Sequence, residues 1–287
     1  EEQNYFPSEK IKTLLCLVYL VFSFFATLLT VSIIHERVPD QDKYGPLSDI
    51  ILDLLPRNDR LIEGSEIVIT ITTSIALPML FIFHKYRFIM LRRIFVITGL
   101  LYCMRCVTMF VTVLPASTSM KYCAPKSNDT NPALWLKRAW ALGTGFGLVI
   151  NGKHKYCGDL IFSGHTVILC MGSLVISEYT PRKLFILHWA SWIATLLGII
   201  MILWSHQHYT IDIIIAYFAT TRLFWLYHML ANDMNLRESS RYNYISRIWW
   251  FRIIQYLEKN VKAPVPAVLE FPFPITRKCF RRRRSEQ

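Results

Sequence analysis

TLLCLVYLVFSFFATLLTVSII, residues 13–34, contains no charged side chain. A stretch of about 20 apolar residues is long enough to cross the hydrocarbon of a bilayer as a helix. Backbone polar groups in lipid must be satisfied within the segment, which favours a helix over an open strand. Five more runs of this kind follow: Ser65–Phe83, Ile94–Leu114, Leu160–Ile176, Leu184–Trp204 and Tyr209–Leu230. The second, fourth and sixth carry polar residues. The pattern predicts an all-α, polytopic membrane protein with six transmembrane helices, or five plus a re-entrant segment. Hydrophobic residues make up 53% of the 287. Their segregation into long runs excludes an ordinary soluble core.

The formal charge is +12. Its placement argues against nucleic acid. Lys10 and Lys12 precede the first run. Lys85, Arg87, Arg92 and Arg93 stand between the second and third, and Arg182 and Lys183 between the fourth and fifth. Further basic residues run from Arg237 to Arg281–Arg284. Short Lys/Arg-rich loops stay cytoplasmic, so both termini and these two loops are expected inside, facing anionic lipid. The long 115–159 loop counts weakly in that rule and falls outside.

Three regions follow: a cytoplasmic segment 1–12, a membrane domain 13–232 and a cytoplasmic tail 233–287. His35-Glu36-Arg37 follows the first span with no small-residue cleavage site, so a cleaved signal peptide is not expected. The chain opens at Glu1, which leaves room for a missing N-terminal part. In the 1/2 loop, Leu47, Ile50, Ile51, Leu54 and Leu55 form a short apolar face. The tail mixes aromatics and arginines at 247–252, which suits the membrane interface. Cys279, beside Arg281–Arg284, is a candidate for palmitoylation or an unmodified thiol in a solvated basic run. Of the seven cysteines, Cys123 and Cys157 share the outward loop and are candidates for a disulfide. Asn128-Asp129-Thr130 in that loop is a glycosylation sequon.

Ionisable residues inside spans are costly and usually functional. His208 and Asp212 are four apart at the start of the sixth run, one face of a helix. A carboxylate there fixes the imidazole tautomer and leaves the other nitrogen to attack; a metal site or a helix cap would use the same pair. His165, in Ser163-Gly164-His165-Thr166, opens the fourth run. Both runs cross from outside to inside, so His165, His208 and Asp212 are expected at one depth. Glu66 and Asp159 fall in the same layer. Two histidines, one oriented by Asp, suit phosphoryl-type transfer through a phospho-histidine. The second histidine serves as acid and then base. Neither a metal nor another cofactor is required. His206 reads as an interface residue and His188 as a satisfied buried histidine.

Cys157-Gly158-Asp159 with Ser163-Gly164-His165-Thr166 resembles one signature of the sphingomyelin synthases. His206-Gln207-His208-Tyr209-Thr210 with Asp212, running on to Thr220-Thr221-Arg222-Leu223-Phe224-Trp225, resembles another. Glu66-Ile67, Arg92-Arg93, Gly99, Tyr102, Arg105, Met109 and Leu114-Pro115 are similar to further family positions. The resemblance implies six spans and a lumenal or extracellular site, in Golgi or plasma membrane. It implies transfer of phosphocholine from phosphatidylcholine to ceramide, giving sphingomyelin and diacylglycerol. His208 would be the nucleophile, Asp212 its orienter and His165 the acid/base. Glu66, Asp159, Gln207, Arg105 and Tyr102 would line the site or meet the head group.

Lipid phosphate phosphatases share the two histidine elements but carry an Arg where this chain has Ile202. A phosphate monoester dianion wants arginine forks, so Ile202 favours a transferase acting on phosphodiesters. At Gln207 the family pattern has an acidic residue. That leaves phosphatidylethanolamine as an alternative donor, and a phospholipase C-like hydrolase as an alternative reaction. An inactive scaffold or transporter is the non-enzyme reading. A homo-oligomer is a further candidate partnership.

Overall fold

The computed structural model describes residues 5–40, 43–58, 60–117, 126–127, 131–145 and 158–270. Among these the regular structure is helical: α1 Lys10–Ile34, α2 Ile50–Leu54, α3 Arg60–Phe83, α4 Arg87–Val111, α5 Pro132–Thr144, α6 Gly164–Tyr179, α7 Phe185–Trp204, α8 Thr210–Asn232 and α9 Phe251–Glu258. Among the described residues, four stretches are long and apolar enough to cross a membrane: Lys10–Arg37, Arg87–Val111, Arg182–Trp204 and Thr210–Asn232. The second and fourth predicted runs are the helices α3 and α6. The latter has 16 residues, because Ser163 starts it later than the apolar pattern does. Cys123, Cys157, Asn128 and Cys279 lie outside the described residues.

Helix α4 is the centre of the bundle. It packs along α1, and Gly99 permits the close approach: a Cβ there would lie 2.6 Å from Tyr19 Cε1. The main core joins α4, α6 and α8 through Ile97, Leu101, Val167, Leu174, Phe224 and Tyr227. Helices α3 and α7 complete the other flank, where Ile69, Leu169, Ile202 and Ile213 meet. Outward faces of α1 and α7 expose Leu14, Val18, Phe22, Trp189, Leu196 and Leu197. In a bilayer that surface is matched to acyl chains rather than stranded in water.

Arg92 and Arg93, which the sequence places in a basic loop, are instead buried in the second turn of α4. Their charges are matched from both ends of the chain. Arg93 grips Glu258 of α9 with two bonds, Nε to Oε1 at 3.3 Å and Nη2 to Oε2 at 2.9 Å. Arg92 Nη1 donates to Glu9 at 2.8 Å, and the Tyr227 hydroxyl donates to Glu258 at 3.1 Å. Trp250, Phe251, Ile254 and Leu257, all beyond 233, enter the main core around this clasp. Residues expected only at the membrane interface thus seal one end of the bundle.

Burial pushes the Glu258 carboxyl up, but Arg93, Arg92 and the Tyr227 phenol outweigh it and hold it below the ordinary range. Its folded pKa is depressed, so its contribution to stability is present above the unfolded value. That contribution fades as pH falls through the folded one. Removing one partner of a buried pair leaves an uncompensated charge, so Glu258→Gln should cost about 3–5 kcal/mol. Thermal unfolding in detergent measures this; an unchanged midpoint would mean that the clasp adds no net stability.

Candidate active site

At the opposite end of the bundle from this clasp, the first turns of α3, α6 and α8 meet the end of α4. Ser163 is the N-cap of α6: its Oγ accepts the Thr166 N–H at 3.3 Å. Side-chain oxygens at this position satisfy donors that a helix start otherwise orphans. The cap fixes His165 in the first turn. Gly164 leaves room for the Arg105 guanidinium, which lies directly over it. The Ser-Gly-His string therefore has three local jobs: start the helix, admit the arginine and present the imidazole.

His208 precedes α8 rather than sitting on it, since the helix begins at Thr210. The expected meeting with Asp212 occurs, but through a capping turn and not along a helix face. Asp212 Oδ2 accepts the Tyr209 N–H at 3.0 Å and lies 3.4 Å from His208 Nδ1. Asp212 Oδ1 accepts the Ile161 N–H at 2.9 Å. One carboxylate caps α8, faces the imidazole and ties the α6 approach to the α8 approach. Asp212 is thus a helix cap, and its second role toward the imidazole is only a 3.4 Å approach to Nδ1.

Ile161 has a positive φ of 72°, a costly backbone state for a β-branched residue. Strain of this kind, about 1–3 kcal/mol, persists where surroundings over-determine it. Here the bond to Asp212 and the buried neighbours Leu160 and Phe162 do so. The sequence gives no signal for Ile161, because its part is played by a backbone N–H.

His165 and His208 face each other with ring centroids 6.2 Å apart and planes at 60°. Glu66 is fully buried, with Oε1 3.6 Å from His165 Nε2. Asp159 is paired with Arg105 through Arg105 Nη2. Burial pushes the Asp159 carboxyl up, but the Arg105 guanidinium and the two histidines prevail and hold it below the usual range. Glu66, Asp159, His165, His208 and Asp212 thus come together in one layer, as the sequence predicts. Tyr102, nearly one turn before Arg105, is buried edge-on against Phe24 at 5.6 Å. Gln207 Oε1 is buried without a partner among the described residues. His206 Nε2 bonds to the Leu55 carbonyl at 3.0 Å, and His188 Nε2 to Thr180 Oγ1 at 2.5 Å.

Asp49 is a site neighbour that sequence reasoning missed. Its Oδ2 accepts the Thr210 N–H and its Oδ1 the Thr210 hydroxyl, each at 2.8 Å. An Asp in a Pro-bounded loop reads as an ordinary turn residue, and nothing local links it to residue 210.

Residues 156–229 match the family described as PAP2 superfamily C-terminal. The chain is 42% identical over 273 residues to human phosphatidylcholine:ceramide cholinephosphotransferase 1; the alignment covers 95% of this chain and 66% of that protein. It is 42% identical over 281 residues to the human type 2 protein, covering 98% of this chain and 76% of the relative. The mouse type 2 protein gives 41% over 281 residues with the same coverage. The chain thus spans just under two thirds of the type 1 relative and about three quarters of the type 2 relatives. With that identity over nearly its whole length, the chain belongs to the phosphatidylcholine:ceramide cholinephosphotransferase, or sphingomyelin synthase, family.

Proposed function

We propose that the chain transfers phosphocholine from phosphatidylcholine to ceramide through a phospho-histidine. The observation that carries this reading is the facing pair of imidazoles, one beside Asp212 and the other beside Glu66. With Nδ1 of His208 turned to Asp212, Nε2 is left to attack phosphorus. The bond from phosphorus to the glyceride oxygen breaks, and His165 gives that oxygen a proton as diacylglycerol leaves. His165 then takes the proton of the ceramide primary hydroxyl. The ceramide oxygen attacks phosphorus, the bond to His208 breaks, and sphingomyelin leaves. Asp212 and Glu66 orient the two rings. Arg105, neutralised by Asp159, keeps a guanidinium near the phosphodiester without offering the bare fork a monoester dianion wants.

The membrane arrangement belongs to the same reading. α1, α3, α4, α6, α7 and α8 are the six spans of a 13–232 catalytic domain. An even number returns both termini to the side of the basic clusters, and the site opens to the lumen or exterior of Golgi or plasma membrane.

A second reading, ethanolamine phosphate transfer, is favoured by Gln207. Its buried Oε1 has no partner among the described residues. An ammonium can donate a hydrogen bond to it, whereas a trimethylammonium has no N–H to give. The test is thin-layer analysis of purified protein in liposomes with fluorescent ceramide and one donor lipid. Fluorescent sphingomyelin from phosphatidylcholine alone is the expected result. Product from phosphatidylethanolamine alone would move the assignment to ethanolamine. Diacylglycerol without a ceramide product would mean hydrolysis, and neither product would return the chain to the non-enzyme reading.

A further inference from the structure

Beside the site, the short helix α2 shows two unlike faces. Leu52 is buried in a cluster with Leu160 and Tyr209, neighbours in sequence of Asp159 and His208. Ile50 and Leu54, one helical turn apart and on the other side, are 81% and 78% exposed. Leu47 and Ile51 are exposed next to them. Aliphatic side chains clustered this openly mark a surface that something apolar covers.

Depth and chemistry identify the cover. The Asn58 N–H, just past α2, donates to the Trp204 carbonyl at 3.2 Å. Trp204 ends α7, whose exposed face runs through Trp189, Ile193, Leu196, Leu197 and Ile200. A partly exposed tryptophan at the end of a lipid-facing helix sits where acyl chains give way to head groups. α2 packs beside that end of α7, since Leu203 lies against the cluster that buries Leu52. Its five residues carry one exposed carboxylate, Asp53, and no Lys or Arg. A surface of that charge suits a zwitterionic leaflet better than an anionic one.

The helix is also wired to the catalytic turn. Asp49 caps α2 by accepting the Ile51 N–H at 3.1 Å while it holds Thr210, two residues after His208. The Leu47 N–H donates to the Tyr209 hydroxyl at 2.9 Å. We propose that α2 is an interfacial anchor, seated in the outer zwitterionic leaflet at the edge of the site, and that it sets the height of the His208 turn against the layer of lipid phosphates. This rests on the reading above for the side and the lipid substrate.

The test places an environment-sensitive fluorescent amino acid at position 50 of the full chain in phosphatidylcholine vesicles, with a second protein labelled at the exposed Lys43. Brominated-acyl phosphatidylcholine should quench the probe at 50, and iodide on both sides of the membrane should not; the order should reverse at 43. Quenching at 50 by iodide alone would overturn the proposal. Shielding from both quenchers would assign the face to protein, such as a second copy, and overturn it too. These readings need no turnover, so they hold whichever head group is transferred. A functional arm uses the double variant I50S and L54S. The apparent KM for phosphatidylcholine in vesicles should rise about tenfold at unchanged kcat, the size of effect that losing part of two aliphatic burials gives. Rates on a soluble short-chain phosphatidylcholine in detergent should match the parent; equal losses in both settings would mean a merely structural role.

Discussion

Replacing His208 by Ala should lower head-group transfer by about 10⁴–10⁶-fold, the range seen when a covalent nucleophile is removed. The folded state should survive. The side chain is 2% exposed, and its ion-pair contact is with Asp212 at 3.4 Å. The bonds that shape the turn, from the Tyr209 and Ile161 N–H groups to Asp212, do not involve the imidazole. The facing ring of His165, in the first turn of α6, is centred 6.2 Å away and lies beside Glu66, so it does not occupy the position His208 leaves. Single-turnover reactions with head-group-labelled lipid make the test. The parent protein should trap label on the chain before ceramide is added, and the variant should trap none. A folded variant within tenfold of the parent rate would remove His208 as the nucleophile.

His165→Ala should cost about 10²–10⁴-fold, the usual worth of a positioned general acid and base. The smaller figure reflects chemistry: the nucleophile stays, but diacylglycerol must depart as an unprotonated alkoxide. This yields a sharper test than the rate alone. A phosphocholine ester of a nitrophenol departs without needing a proton, so the variant should recover most of its first-step rate on that donor. Equal deficits on both donors would assign His165 to binding or structure instead. Glu66→Gln, which removes the carboxylate 3.6 Å from His165 Nε2, should show the same dependence on the leaving group in weaker form.

Much of this site is legible in the chain. Polar residues that interrupt apolar runs at Glu66, His165 and Asp212 stand out because lipid makes them costly. If the runs are read as alternating spans, the starts of the second, fourth and sixth are expected at one depth, and the first turns of α3, α6 and α8 do meet. The helical placement of His208 was not legible, because a capping turn brings residues four apart together much as a helix does. Arg92 and Arg93 were misplaced for a related reason. A charge pair at the end of an apolar run reads as a loop, and the carboxylate that allows its burial lies 165 residues past Arg93, at Glu258.

By itself the sequence determined the helical membrane class, since runs of that length leave the backbone no other way to satisfy its hydrogen bonds. It also marked His165, His208 and Asp212 as the candidate site residues, because each stands at the edge of an apolar run, but the Ser163 cap that opens α6 was recognised only in the structure. Only the tertiary structure decided the partners: Arg105 with Asp159, Glu66 with His165, Asp49 with Thr210 and Arg93 with Glu258. These pairs join distant segments, and their formation depends on how far each helix slides and turns against its neighbours. Side-chain packing sets that register, and no local pattern along the chain encodes it.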